Sequence, residues 1–596
     1  MTTYIAPVRD MLFVMQELAG LEGLAALPGY EEATPELAAA VLEEAARLAG
    51  EVLAPLNKVG DMHGAKLTQD GVVAAEGFGA AYRQFVKNGW NGLGGDPEDG
   101  GQGLPQLISA ATVEIWNSAN MAFALCPLLT AGAVEALKQH GAPELKACYL
   151  PKMVSGEWTG TMNLTEDQAG SDLSAVRTKA IPEGGHYRIV GQKIFITWGD
   201  HDMTDNVVHL VLARTPDAPE GVRGISLFLV PKFLVNADGS LGARNDVHCV
   251  SLEHKLGIHA SPTCVMSFGD KDGAVGYLVG QENKGLAHMF TMMNEARQKV
   301  GLSGIGIAER AYQAARDYAK ERIQGRPAGQ KSGDRVTIIH HPDVRRMLLA
   351  MKSQVEAMRA FGYVLAADID LSTKHPDEAE RRRRQARVDL LIPVLKGWCA
   401  ELGVEIASLG VQVFGGMGYV EETGACQYLR DSRIAPIYEG TTGIQAADLV
   451  GRKVASDRGL AMATLIGEMR AVEAQLLEVE GAGFASIRAA LGDGVNALGQ
   501  ATQWVLRTIA QDLDATLAAS VSYLMLTGYV CGGWQMARAA LAAQAHLRSS
   551  DDDSFWRTKI ATATFYAEQI LPKASALSST VKSGASTALA LGEECF

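Results

Sequence analysis

The spacing of hydrophobic residues changes along this chain of 596 residues. Residues 36–58 and 105–155 place apolar side chains three and four positions apart and are rich in Ala, Leu and Glu, which predicts helices. Residues 159–280 instead contain short runs of Val, Ile and Phe bounded by Gly, Pro, Asn and Asp, which predicts strands. The helical spacing returns from Glu282. A helix, sheet, helix order without βαβ alternation argues against a doubly wound dinucleotide-binding fold.

These changes predict four regions and an α+β fold. The regions are an N-terminal α domain with an N-terminal extension, a middle β domain, a bundle of long helices and an additional all-α C-terminal domain, with the bounds 1–158, 159–281, 282–455 and 456–596. Within the last region, residues 515–537 lack charge over a length that could span a membrane. Because this stretch also contains Ser, Thr, Gln and Gly, a buried helix is the favoured interpretation, and an interfacial or spanning helix is the alternative.

Composition narrows the classes of partner and compartment. Hydrophobic residues make up 47% of the chain and charged residues 20%, which is typical of a compact globular protein. The net charge of −14 argues against nucleic acid and anionic membranes as partners. The eight Cys are scattered without a CxxC pair, so the pattern favours neither a zinc site nor a redox dithiol. The first residues lack the pattern of a signal or transit peptide, and we expect a cytoplasmic protein with reduced thiols.

Two segments combine residues suited to ligand binding. Residues 161–172 (TMNLTEDQAGSD) end a predicted strand in a turn, whose hydroxyls and backbone N–H groups can bind a pyrophosphate or a polar ring edge. Residues 191–200 (GQKIFITWGD) place Phe195 and Thr197 on one face of a strand, where an aromatic ring beside a hydroxyl suits a planar heterocycle. Either segment alone is also compatible with an ordinary turn or a packed strand.

A third segment, residues 414–445, contains a candidate base. Gly415 and Gly416 remove side chains where another group approaches the backbone. Glu439 follows the apolar run 434–438, so we expect a partly desolvated carboxylate with a raised pKa, suited to a general base near neutral pH. Taken alone, such a Glu is compatible with an ordinary turn.

Together and in this order, these segments resemble the acyl-CoA dehydrogenase family. The resemblance covers about residues 40–450 and includes the motifs PEDGGQGLP, MNLTEDQAGSD, GQKIFITWGD, EARQKVGLSGIGIAERA, KERIQGR, HPDVRRMLLA, QVFGGMGY and IYEGTTGIQ. It implies an N-terminal α domain, a middle β domain and a four-helix domain, with FAD bound between the last two. The C-terminal extension marks the chain as a long form of the family.

The resemblance also implies which residues contact FAD. It places Leu164 and Thr165 at the isoalloxazine edge, and Ser171 near the phosphates or the pantetheine of the substrate. Phe195 stands where the family stacks Trp against the flavin, with Thr197 near flavin N5. Residues of the helical domain expected to contact FAD, in part across a homodimer, are Arg322, Gln412, Gly415, Gly416 and Thr441.

Glu439, in the motif YEGT, matches the catalytic base of the family. The α-C–H of an acyl thioester is a very weak acid, so the enolate must be stabilised; in the family, the backbone N–H of this Glu and a ribityl hydroxyl do so. The carboxylate takes the α-proton while a hydride leaves the β-carbon. Some members carry the base before the Arg of EAR, which is Ala296 here, so Glu439 is favoured and Glu295 is the alternative. The expected substrate-binding residues are Ser171, Arg297, Tyr438 and Gly440.

The acyl group does not follow from thioester chemistry alone. The long form most resembles members that convert 3-(methylthio)propanoyl-CoA to 3-(methylthio)acryloyl-CoA in dimethylsulfoniopropionate degradation. A short or medium straight-chain acyl-CoA of fatty-acid oxidation is the alternative. The resemblance implies reoxidation by an electron-transfer flavoprotein, and we expect a homodimer. An acyl-CoA oxidase and a non-catalytic membrane-associated or assembly protein are less favoured interpretations.

Overall fold

The computed structural model describes residues 4–549, 553–583 and 585–596, and the chain forms two compact units. We name them by their main content. The sheet unit comprises residues 47–104 and 119–299. The helical unit comprises residues 1–46, 105–118 and 300–596.

The sheet unit is built on one eight-stranded sheet and two short two-stranded ladders. Its strands are β1 (Lys66–Thr68), β2 (Gly71–Val73), β3 (Trp158–Asn163), β4 (Lys179–Glu183), β5 (His186–Thr197), β6 (Asn206–Ala213), β7 (Ser226–Pro231), β8 (Phe233–Val235), β9 (Leu241–Arg244), β10 (Val247–Leu252), β11 (Thr263–Phe268) and β12 (Ala274–Leu278). The large sheet has the order β10-β11-β5-β12-β7-β6-β3, with β4 also paired to β5. Within it, β3 and β6 are parallel.

The central strand β5 carries a bulge opposite β11. Cys264 pairs with Ile196 and Met266 pairs with Lys193, so two residues of β5 oppose one residue of β11. Strict alternation from the buried Lys193 would turn residues 195 and 197 into the core, whereas the bulge places Ile196 there instead. Phe195 lies at the bulge with φ +59°, and its ring is 59% exposed. Phe195 and Thr197 therefore lie on the less buried face of the strand.

Helices make up most of the remaining chain. They are α1 (Val8–Phe13), α2 (Leu21–Ala25), α3 (Pro35–Leu48), α4 (Ala54–His63), α5 (Phe78–Lys87), α6 (Gln106–His140), α7 (Pro143–Ser155), α8 (Gly285–Glu321), α9 (Pro342–Lys374), α10 (Glu378–Phe414), α11 (Ala425–Ser432), α12 (Thr442–Asp448), α13 (Leu460–Leu476), α14 (Ala482–Thr508), α15 (Leu513–Ser549), α16 (Ser554–Phe565), α17 (Lys573–Ser583) and α18 (Ala585–Ala588). The π-helical segments Val14–Leu18, Ala49–Leu53, Leu449–Ala455 and Tyr566–Ile570 adjoin them. Helices α9 and α10 pack together along their length in the helical unit.

The apolar stretch 515–537 lies within α15, which is largely buried in the helical unit. Helices α6 and α15 are long and apolar enough to cross a membrane, but 78% and 72% of their most apolar windows are buried within the protein. Helix α15 packs against α9 and α10, where Gly528 allows the ring of Trp398 to approach closely. A Cβ at Gly528 would lie 2.2 Å from Trp398 Cγ. Burial against the helical bundle accounts for the apolar character of α15.

Candidate active site

In the sheet unit, a buried ion pair holds residues 164–172, which we call the β3 loop. Lys193 Nζ, on β5, lies 2.8 Å from Glu166 Oε1 and 3.0 Å from the carbonyl oxygen of Leu164. Glu166 also accepts hydrogen bonds from the Thr178 hydroxyl (2.6 Å) and the Arg177 N–H (2.7 Å). Burial opposes ionisation, but Lys193 and these donors outweigh it and lower the pKa of Glu166 to about 2. Burial lowers the pKa of Lys193 to about 8.

The β3 loop also pairs with the bulge of β5. The N–H of Ile194 donates to the carbonyl of Thr165 over 2.9 Å, and the Thr161 hydroxyl donates to the carbonyl of Thr197 over 2.7 Å. These hydrogen bonds place the predicted flavin-binding residues of the β3 loop next to those of β5. Leu164 is buried, Thr165 is half-buried and Ser171, further along the loop, is exposed.

The sheet unit supplies groups that fit a planar heterocyclic cofactor. Phe195 presents an aromatic ring that the core does not cover, and two half-buried hydroxyl residues lie near it, Thr165 in the β3 loop and Thr197 in β5. A positive φ at a residue with a Cβ is uncommon and is often found at functional sites. An exposed ring beside polar hydrogen-bonding residues is the chemistry that a flavin requires.

In the helical unit, Glu439 lies in residues 434–442, which we call the base turn. Gly440 follows it with φ +76°, a conformation that favours glycine. Thr441 caps α12 by accepting a hydrogen bond from the Ile444 N–H over 3.2 Å, and the Thr442 hydroxyl donates to Glu401 Oε1 over 2.7 Å. The base turn is therefore fixed on its C-terminal side by a helix cap and by α10.

Glu439 is exposed, so the chain itself does not bury the carboxylate as the apolar run predicted. The apolar run before it does not bury the turn. Ala435 and Pro436 point into the protein, whereas the side chain of Ile437 is 49% exposed. A run of five apolar residues in a tight turn divides between inside and outside, so burial of the residue that follows it cannot be inferred from the run.

A second buried lysine lies beneath the base turn. Lys396, on α10, is fully buried, and its Nζ donates to the carbonyls of Ala435 (2.8 Å) and Tyr438 (3.3 Å). The same Nζ lies 5.8 Å from the centroid of the Tyr438 ring. Burial raises the pKa of Tyr438. Sequence reasoning missed Lys193 and Lys396; for Lys396 the signal was a single lysine inside an otherwise apolar run, LIPVLKGW.

The remaining predicted residues of the helical unit are exposed. Arg322 follows the last residue of α8, Gln412 lies in the last turn of α10, and Gly415 and Gly416 follow that helix. Gly415 has φ +62°, which accounts for glycine at that position. Among the described residues, none lies within 4 Å of a Cβ built at either glycine, so close packing inside this chain does not account for Gly416.

Helix α8 carries Arg297 and the alternative base. Arg297, within the sheet unit, is buried, and its Nη1 donates to Asn294 Oδ1 over 3.2 Å. Glu295 is half-buried, and its Oε1 lies 2.9 Å from Lys299 Nζ. Glu295 is therefore already engaged in an ion pair on its own helix.

The chain belongs to the acyl-CoA dehydrogenase family. Successive stretches match the N-terminal, middle and C-terminal domains of acyl-CoA dehydrogenase, and a fourth matches the domain described as acetyl-CoA dehydrogenase C-terminal like, over residues 35–157, 161–271, 283–454 and 465–592. The predicted fold, with its additional C-terminal helical domain, and the predicted enzyme class are confirmed.

Individual relatives extend this assignment over the whole chain. The protein is 51% identical over 575 residues to 3-methylmercaptopropionyl-CoA dehydrogenase of Ruegeria pomeroyi, covering 96% of this chain and 97% of that protein. It is 35% identical over 609 residues to a butyryl-CoA dehydrogenase of Syntrophomonas wolfei, covering 100% and 99%. A solved acyl-CoA dehydrogenase of Bacillus anthracis, complexed with FAD, shares the fold with a TM-score of 0.73 at 21% identity, over 94% of this chain and 89% of that one.

Proposed function

We propose that this acyl-CoA dehydrogenase converts 3-(methylthio)propanoyl-CoA to 3-(methylthio)acryloyl-CoA with FAD as its cofactor and Glu439 as its base. The observation that carries the substrate is the 51% identity to the Ruegeria pomeroyi enzyme over almost the entire length of both chains. The candidate base is supported by an exposed carboxylate on a turn that Gly440, Thr442 and Lys396 hold in place.

In the proposed reaction, the Glu439 carboxylate takes the α-proton and the Glu439 N–H donates a hydrogen bond to the thioester oxygen. FAD, when bound, supplies the acceptor for the hydride that leaves the β-carbon. The substrate thus loses one proton and one hydride and gains a C=C bond. We assign the substrate side of the site to Tyr438, Gly440, Arg297 and Ser171.

We assign the cofactor contacts to the residues that the family resemblance implies. Leu164, Thr165, Phe195 and Thr197 would contact the flavin ring, and Ser171 would lie near the phosphates. The exposed Arg322, Gln412, Gly415 and Gly416 would bind the FAD of a second copy, and Thr441 would follow the base. Beside these glycines, Met417 is 45% and Tyr419 88% exposed, an apolar surface that a homodimer would cover. An electron-transfer flavoprotein would reoxidise the enzyme in the cytoplasm.

Anaerobic titration of the FAD-loaded protein tests the substrate. The panel contains 3-(methylthio)propanoyl-CoA and straight-chain acyl-CoAs from butyryl to octanoyl, and the signal is flavin bleaching. We expect the methylthio substrate to bleach fastest. The 35% identity to a butyryl-CoA dehydrogenase supports a short straight chain as the second candidate, and faster bleaching by butyryl-CoA would favour it. Bleaching by none of these thioesters would overturn both.

A further inference from the structure

One peptide group links the buried Lys396 to the backbone of Glu439. The carbonyl of Tyr438 and the N–H of Glu439 belong to the same peptide, and Lys396 Nζ lies 3.3 Å from that carbonyl oxygen. Because a trans peptide is planar, its C=O and N–H point in opposite directions. An ammonium group held at the carbonyl end therefore constrains the direction in which the Glu439 N–H points.

The position of Lys396 strengthens this effect. The side chain is fully buried, so little water screens its charge from the carbonyl. A cation at a carbonyl oxygen polarises the peptide and makes its N–H a stronger donor. The second contact of the ammonium, 2.8 Å from the Ala435 carbonyl, fixes the group at another point of the turn.

Helix α10 thus holds the base turn on both sides of Glu439. Lys396 contacts the carbonyls before Glu439, and Glu401, five residues further along the same helix, accepts from the Thr442 hydroxyl after it. The backbone at Glu439 is therefore oriented by a rigid helix of 37 residues rather than by the turn alone.

We infer that Lys396 is a positioning residue, which orients and polarises the Glu439 N–H toward the thioester oxygen where negative charge develops. The inference rests on the proposed function, in which that N–H contacts the substrate. It assigns Lys396 a role in stabilising the enolate that is separate from the proton transfer to the Glu439 carboxylate.

The test uses the FAD-loaded Lys396→Met and Lys396→Gln variants, which remove the charge and, in Gln, keep a neutral donor. Infrared spectra of bound 3-(methylthio)acryloyl-CoA, labelled with ¹³C at the thioester carbonyl, report the hydrogen bond to that oxygen. Rapid mixing with 3-(methylthio)propanoyl-CoA reports the bleaching rate at saturation. Lys559→Met is the matched control, since Lys559 is another buried lysine of the helical unit, contacting Asp10 and Glu356.

We expect Lys396→Met to move the carbonyl band toward its frequency in water and to slow bleaching by about 10- to 100-fold, with KM changed by less than about threefold, on the scale of a weakened oxyanion donor. Lys396→Gln should lie between Met and the parent enzyme. Lys559→Met should leave the band unchanged, and so should Glu439→Gln, which keeps the backbone N–H.

An unchanged band in the Lys396 variants overturns the inference, and if the Met variant does not load FAD, the Gln variant decides alone. Near-normal turnover by Glu439→Gln would refute the base in the proposed function, whereas the band of the Lys396 variants would still decide the role of the lysine. The two failures are thus distinguishable.

Discussion

The β3 loop and the base turn are each held by a buried lysine, but the lysines act on different groups. In the sheet unit, Lys193 pairs with the carboxylate of Glu166. In the helical unit, Lys396 donates to two backbone carbonyls of the turn that carries Glu439. Removing Lys193 takes a buried charged partner from Glu166, whereas removing Lys396 takes a donor from two carbonyls of the base turn. We therefore expect stability to depend more on the first lysine and reaction rate more on the second.

The largest expected effect is on the bleaching rate, when the Glu439 carboxylate of the base turn is removed. Glu439→Gln should retain FAD and lower the bleaching rate by about 10²- to 10⁴-fold, because the proton acceptor is lost while the cofactor contacts are kept. Stopped-flow bleaching per bound flavin measures it. Glu295→Gln is the matched control and should change the rate by less than about threefold; a loss as large as that of Glu439→Gln would move the base to α8.

The contrast between the lysines is tested directly by stability. Lys193→Met should destabilise the protein by about 3–5 kcal/mol, since it breaks a buried ion pair and leaves Glu166 buried. Lys396→Met should cost about 1–3 kcal/mol, the range for buried acceptors that lose a donor. Urea unfolding of both FAD-loaded variants gives the two values. Equal losses of unfolding free energy in the two variants would contradict the expected difference between the lysines.

The Glu166 carboxylate should also make the sheet unit sensitive to acid. Its pKa is about 2 in the folded chain against an ordinary value of 4.5, so its contribution to stability is complete above about pH 4.5 and is lost as the pH falls toward 2. Glu166→Gln should be less stable than the parent at pH 7, yet lose less stability between pH 5 and pH 3. Urea midpoints across this range measure the difference. Parallel curves for the two proteins would contradict the assignment.

The smallest effect is expected at Phe195. Because its ring is exposed, Phe195→Ala should change the stability of the FAD-free protein by less than about 0.5 kcal/mol. It should weaken FAD binding by up to about tenfold, the value of one aromatic stacking contact. Fluorescence titration with FAD measures the affinity, and Phe195→Trp, which keeps a ring, should bind as the parent does. Unchanged affinity in the Ala variant would remove Phe195 from the proposed cofactor contacts.

The spacing of apolar residues predicted the bounds of the strands better than it predicted which side chains face the core. The run HYRIVGQKIFIT predicted β5, and the structure forms the strand over those same residues, His186–Thr197. The bulge could not be predicted from β5 alone, because it depends on which residues of β11 pair with it. Phe195 and Thr197 do share a face, but the bulge determines which face that is.

The groups beneath the candidate site were harder to predict than the motifs themselves. In a sequence, Lys193 and Lys396 look like surface residues, because a lysine is rarely buried without a partner. Their burial depends on Glu166, 27 residues away, and on Ala435 and Tyr438, which belong to a separate segment of the chain. Glu439 shows the opposite case. Its motif could be found in the sequence, but its exposure depends on how the base turn folds.

The bulge means that β5 contains one residue more than the pairing of β11 requires. Without Ile194, Lys193 and Ile196 could keep their partners, with Phe195 directly opposite Val265 in ordinary strand geometry. The surplus residue is a local adjustment of backbone length that lifts one ring from the sheet surface. A single-residue insertion is enough to introduce such an adjustment, and a single-residue deletion is enough to remove it, which offers an engineer a way to change the depth of the ring without substituting the ring itself.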